Sequence, residues 1–125
     1  MEAIQTQAAP AAIGPYSQAV RGAGFVFVSG QIPLTPEGQL VEGSVAEQAE
    51  QALKNLKAIL EAAGSGMNRV VQVTVYLTDI SAFEAFNRVY ASFFTPPYPA
   101  RQVVGVAELP KGVKVEISAV ALGGE

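Results

Sequence analysis

The sequence predicts an α+β domain of two layers, a mixed β-sheet with two helices on one face. Three observations predict it. Two stretches carry apolar residues along a single helical face, and each is preceded by a Ser-x-x-Glu start signal. Several other stretches are β-rich or alternate with period two. Helices with one apolar face need a sheet to cover, so both belong on the same side of it. The 125 residues suit one domain, 1–125, with one core.

The elements follow in chain order. Residues 1–12, rich in Ala, Gln and Thr with Pro10, read as a loosely held lead-in. Gly14-Pro15 precedes a short strand over Tyr16–Val20, and a turn at Gly22–Gly24 leads into a second over Phe25–Ser29. Residues 30–39 hold two prolines and two glycines and form a loop. Ser44 with Glu47 opens a helix that Gly64 stops, and Val45, Ala49, Ala52, Leu53, Leu56, Ile59, Leu60 and Ala63 recur along one apolar face. Val70–Leu77 alternates, with Val71, Val73, Val75 and Leu77 on one face and Gln72, Thr74 and Tyr76 on the other.

Ser81 with Glu84 predicts a second capped helix, lined by Phe83, Phe86, Tyr90, Phe93 and Phe94 and ending before Pro96. Two strands, about 101–107 and 113–122, flank a turn at Pro110-Lys111-Gly112. In the last strand Val113, Val115, Ile117, Ala119 and Ala121 share a face. Glu116 is on the opposite one and looks away from the helices.

Composition narrows the chemistry. Half the residues are hydrophobic and only 15% are charged, against about 25% in an ordinary soluble domain. So thin a charged coat predicts that part of the surface is buried in further copies of the chain. With no histidine and no cysteine, a Ser-His-Asp or Cys-His arrangement is impossible, as is a zinc site built from imidazole or thiolate. No Walker loop or GxGxxG appears. A net charge of −3 without a basic run disfavours nucleic acid. Pro and Gly interrupt the longest uncharged stretch, Ala3–Val20, so no membrane span is expected. The expected location is cytoplasmic.

Two charged residues stand out. Arg101, behind Pro-Pro-Tyr-Pro-Ala, carries a fork of donors suited to a carboxylate. The bland alternative is an arginine reaching water or pairing with Glu108. Glu116 lies inside a β-rich run, where a carboxylate is costly unless paired or wet. It is either a general acid/base or an edge charge paired with Lys111 or Lys114. Spacing does not establish that the two meet, although a hairpin would make them neighbours. Tyr16, Ser29 and Asn87 are weaker candidates, each explicable as a surface ring, a turn cap or an exposed helix residue. Tyr76 and Tyr90 read as core or interface.

Together, GPYSQ (14–18), VSGQIP (28–33), FNRVYASFF (86–94), PAR (99–101) and KVEI (114–117) resemble the RidA (YjgF) family, in the right order over nearly the whole chain. The resemblance implies a chorismate-mutase-like fold assembled as a homotrimer, with sites between neighbouring subunits. It implies hydrolysis of reactive 2-imino or enamine acids to 2-keto acids and ammonia, without metal or organic cofactor. The imines would come from pyridoxal-phosphate enzymes. Carried over, Arg101 would anchor the substrate carboxylate and Glu116 would activate water. Tyr16, Ser29 and Asn87 would line the pocket, and backbone amides near Gly30 and at Val103 would help hold the acid. Many relatives carry cysteine where this chain has Val103. The rival readings are a small-acid-binding or holdase-like module without turnover and, less favoured, a ribonuclease.

Overall fold

The computed structural model describes residues 1–123. Six strands and two helices run in the order β1 (Glu2–Ile4), β2 (Ala19–Gly22), β3 (Phe25–Gln31), α1 (Val45–Ala62), β4 (Val70–Leu77), α2 (Phe83–Ala91), β5 (Ala100–Gly105) and β6 (Val115–Leu122). They form one mixed sheet, ordered β1-β2-β3-β6-β4-β5. The β4–β5 pair is parallel and the other pairs are antiparallel. Both helices share a single core with the sheet. Leu53, Leu56, Ile59 and Leu60 of α1 and Phe86 of α2 meet Val26, Val73, Val75, Leu77, Val115 and Ile117, all fully buried. This is the predicted two-layer α+β arrangement. Among the described residues no helix is long and apolar enough to cross a membrane.

Helix α1 forms as its sequence dictates. Ser44 Oγ accepts from Glu47 N–H (3.2 Å) while Glu47 Oε1 accepts from Ser44 N–H (2.9 Å), closing the capping box. At the other end Gly64 takes φ +77° and Ser65 N–H returns to Leu60 O (2.9 Å). Two buried polar side chains on α1 hold the loop that follows β3. Asn55 donates to Ile32 O and Leu34 O, and Gln48 donates to Val41 O while accepting from Lys114 N–H.

The structure corrects six local readings. The lead-in is not loose: β1 pairs with β2, and Gln18 holds the loop between them. Gln18 accepts from Thr6 N–H and donates to Thr6 O and Pro10 O. The first predicted strand therefore starts late, at Ala19, because Gly14 (φ +129°) and the Tyr16 N–H to Gly14 O bond turn the chain until then. Val71 does not face the core. A register shift between Val70 and Gln72 buries Val70 instead and leaves Val71 exposed. Ser81 with Glu84 forms no capping box. Asp79 caps a short 3₁₀ turn by accepting from Ser81 N–H and Oγ, and α2 begins after it. Helix α2 also stops earlier than expected, at Ala91, so Phe93 and Phe94 pack from beyond its end. Finally, β5 and β6 are not a hairpin, since β4 lies between them.

The face away from the helices stays uncovered. Phe25, Phe27, Val104 and Leu122 lie there at 37–45% exposure, so a β-sheet surface of aromatic and aliphatic side chains meets solvent in the single chain. The predicted shortage of charge is concentrated there.

Candidate active site

The candidate residues fall into two groups on opposite faces of the sheet. Arg101 pairs in register with Val73, which is buried under the helices, and so shares its face. Glu116 lies between the buried Val115 and Ile117 and pairs with Tyr76, on the open face. Counting across β4 and along the strands, their Cα atoms are about 14 Å apart. The neighbour relation that a hairpin would have given does not exist.

Arg101 stands on the edge strand β5 beneath α2. On that helix Phe83, Asn87 and Tyr90 follow at i, i+4 and i+7, which places them on one face. The Arg101 guanidinium sits 4.6 Å from the Tyr90 ring centroid and 5.4 Å from that of Phe83. Its Nη1 donates to Asn87 Oδ1 at 2.7 Å. Among the described residues it has no carboxylate partner; the two ion pairs are Arg21–Glu2 and Lys54–Glu50. The bland pairing with Glu108 does not form. A permanent cation thus rests on two π faces and an amide oxygen, with the rest of its donors free. It borders a cavity of about 540 Å³ that Asn87, Tyr90, Tyr98 and Pro99 also line.

Val103, two residues along β5, packs against the core. Val106 N–H donates to Leu77 O (2.9 Å), on the β4 side. By strand alternation, the N–H groups of Val103 and Arg101 point the other way, to the unpaired edge. The free amide expected at Val103 is therefore on the same edge as the Arg101 side chain.

The second group surrounds Glu116. A β-bulge between Val28 and Gln31 places one extra residue of β3 against β6. Gly30 sits in it, and the carboxyl of Glu116 lies directly over it. A Cβ on Gly30 would come within 2.9 Å of Glu116 Cδ and closer still to Oε2, so any side chain there would push the carboxyl out of this position. Glu116 forms no hydrogen bond or ion pair among the described residues, and Lys114 donates to Gly43 O instead. Partial burial raises the Glu116 pKa above the ordinary carboxylate range. Tyr16 and Gly30 line the same cavity of about 440 Å³ as Glu116. Tyr16 is half-exposed, and its hydroxyl accepts from Ile13 N–H (3.3 Å). Ser29 does not line that cavity. It is one residue away, its Oγ donating to Ser17 O (2.6 Å), with the hydroxyl oxygen still able to accept.

A consequence for stability follows from Glu116. A carboxyl with a raised folded-state pKa binds its proton more tightly folded than unfolded. Ionising it therefore destabilises the fold, and that penalty disappears as pH falls through the raised value. Thermal melts of Glu116→Gln should show a higher midpoint than the parent at neutral pH, the gap closing on the acid side. An equal or lower midpoint at neutral pH would contradict the desolvated carboxylate.

Sequence reasoning found the charged residues but missed the aromatic support of Arg101. The sequence pattern reads Tyr90 as core or interface and Phe83 as helix lining, and gives Tyr98 no role. The i, i+4, i+7 spacing of Phe83, Asn87 and Tyr90 was the available signal.

The chain is similar over nearly its whole length to known proteins. The family model described as Endoribonuclease L-PSP matches residues 6–123. The human 2-iminobutanoate/2-iminopropanoate deaminase is 52% identical over 122 residues, covering 97% of this chain and 89% of its own. The crystal structure of RidA from the Antarctic bacterium Psychrobacter sp. PAMC 21119 superposes with a TM-score of 0.93 at 49% identity, over 98% of this chain and 99% of that one. E. coli TdcF, solved with bound serine, superposes at 0.92 with 45% identity over 98% of each chain. A fold, a nearly full-length match and identities near one half leave no ambiguity: the chain belongs to the RidA (YjgF) family.

Proposed function

We propose that this protein is a cofactor-independent deaminase. It hydrolyses 2-iminobutanoate, 2-iminopropanoate and related enamine acids to 2-keto acids and ammonia, in clefts between the subunits of a homotrimer. One observation carries the reading. Among the described residues, a guanidinium without a counter-ion and a partly desolvated carboxyl without a partner lie on opposite faces of the sheet. They can serve one small molecule only if the Arg101 edge of one copy docks on the open face of another. The uncovered Phe25, Phe27, Val104 and Leu122 supply an apolar surface for that docking. The name of the human relative and the amino acid bound by the E. coli relative support the same substrate size and chemistry.

The reaction asks little of the protein. Arg101 fixes the carboxylate of R–C(=NH)–COO⁻, with Asn87 holding its Nη1 and the Val103 amide on the same edge. Water adds to the C=N carbon: a C–O bond forms, the C=N π pair moves to nitrogen, and Glu116 takes the water's proton and passes it to that nitrogen, giving a carbinolamine. The carboxylate of Glu116 then takes the hydroxyl proton and delivers it to the amine as the carbonyl forms, the C–N bond breaks and ammonia leaves. Partial burial, which raises the Glu116 pKa, makes it a better proton acceptor than an ordinary carboxylate. Gly30 keeps that carboxyl in place, and Tyr16 and Ser29 shape its surroundings.

The test couples the purified protein to a threonine dehydratase and follows 2-ketobutyrate release with an imine trap present. Faster keto-acid release and less trapped product are expected from the parent. Glu116→Gln should still bind 2-ketobutyrate but turn over about 10²–10⁴-fold more slowly. A binding module without turnover would give no acceleration at all, and that result would end the enzyme reading. Nothing in the geometry favours the ribonuclease in the family description, and a net charge of −3 opposes it.

A further inference from the structure

Tyr90 is the one aromatic of its cluster that carries a hydroxyl. It shares the core with Phe86, Phe93 and Phe94, and its ring lies 5.6 Å from that of Phe86 and 4.6 Å from that of Phe94. The side chain is 6% exposed, and its hydroxyl is buried without a hydrogen-bond partner among the described residues. An unmade hydrogen bond of this kind destabilises a fold, and phenylalanine would fill the same space without it. Packing therefore does not account for the phenol. Stacking on Arg101 does not account for it either, since a phenyl face attracts a guanidinium as well. What the hydroxyl lacks is an acceptor. Tyr90 lines the cavity that Arg101 borders, and that cavity is where an acid would bring carboxylate oxygens.

We propose that Tyr90 belongs to the acid-binding site: its ring holds the guanidinium plane of Arg101, and its hydroxyl donates to the bound acid. This rests on the assignment of Arg101 as carboxylate anchor. It makes Tyr90 a residue that trades fold stability for ligand affinity. Its neighbour Asn87 already engages one side of the fork, so the acid would be held by the remaining guanidinium donors and the phenol together.

The test is the variant Tyr90→Phe, compared with the parent and with Arg101→Ala. Calorimetric titration with 2-ketobutyrate and thermal melts supply the two readouts. Loss of one hydrogen bond to a charged acceptor should weaken binding about 10- to 100-fold, while the midpoint stays equal or rises. In turnover, the loss should fall on KM more than on kcat. Tyr90→Leu, which also removes the stacked ring, should bind still more weakly. If Tyr90→Phe binds the acid like the parent, whatever its midpoint, the hydroxyl has no part in binding and the proposal is wrong. If the parent binds and Arg101→Ala does too, the anchor assignment itself fails, and this inference goes with it.

Discussion

Arg101→Ala should lower kcat/KM for 2-iminobutanoate by about 10²–10⁴-fold, the equivalent of two charge-assisted hydrogen bonds to a carboxylate. Among the described residues Arg101 has no carboxylate partner, so little of their structure depends on its charge. The variant should therefore keep its assembly and lose only a modest part of its stability. Arg101→Lys should fail nearly as badly, because a point charge cannot present a fork and cannot hold both Asn87 and an acid in one plane. Asn87→Asp attacks the same feature from the other side. It replaces the amide oxygen on Nη1 with a carboxylate that neutralises the cation, so binding of 2-ketobutyrate should fall while the melting midpoint rises. Steady-state kinetics on the three variants check the set. Parent-like turnover by either Arg101 variant removes the guanidinium from the mechanism.

Mixing two inactive variants should restore activity. In a cyclic trimer each cleft would take Arg101 from one protomer and Glu116 from its neighbour. Arg101→Ala protomers still carry Glu116, and Glu116→Gln protomers still carry Arg101. Refolded together in equal amounts, three quarters of the trimers are mixed, each with one competent cleft in three, which gives about a quarter of the parental rate. The effect is large because each parent alone is nearly silent. Sites confined to one protomer would give no recovery, even with mixed trimers verified by native mass spectrometry. The structure already argues against such sites, since Arg101 and Glu116 face away from each other across the sheet.

Much of this was legible in the chain. The capping box at Ser44–Glu47, the glycine stop at Gly64 and the apolar stripe of α1 all depend on local spacing, and all form as written. The same is true of Glu116, whose outward direction follows from its place between Val115 and Ile117. Arg101 and Glu116 could be picked out because lone charges in apolar strands need an explanation. The errors arose where two local signals compete. At Val70–Gln72 a bulge shifted the alternation by one residue, and at Asp79–Ser81 a neighbouring acid capped the turn before the serine could. A period of two or 3.6 residues does not record such choices.

By itself the sequence determined both helices and the strands other than β1, though not all their ends, which way most side chains point, and which few are free for chemistry, because these depend on contacts within about one turn or one pleat. Only the tertiary structure decided that β4 separates β5 from β6, so that the cation and the carboxyl stand on opposite faces. It alone set the bulge that seats Gly30 beneath Glu116 and the α2 face that supports Arg101. The strand–helix–strand run through α2 is the kind of crossover that the parallel β4–β5 pair requires. Which strand fills the gap between them is fixed by burial summed over the whole sheet, and no short stretch of chain carries that sum.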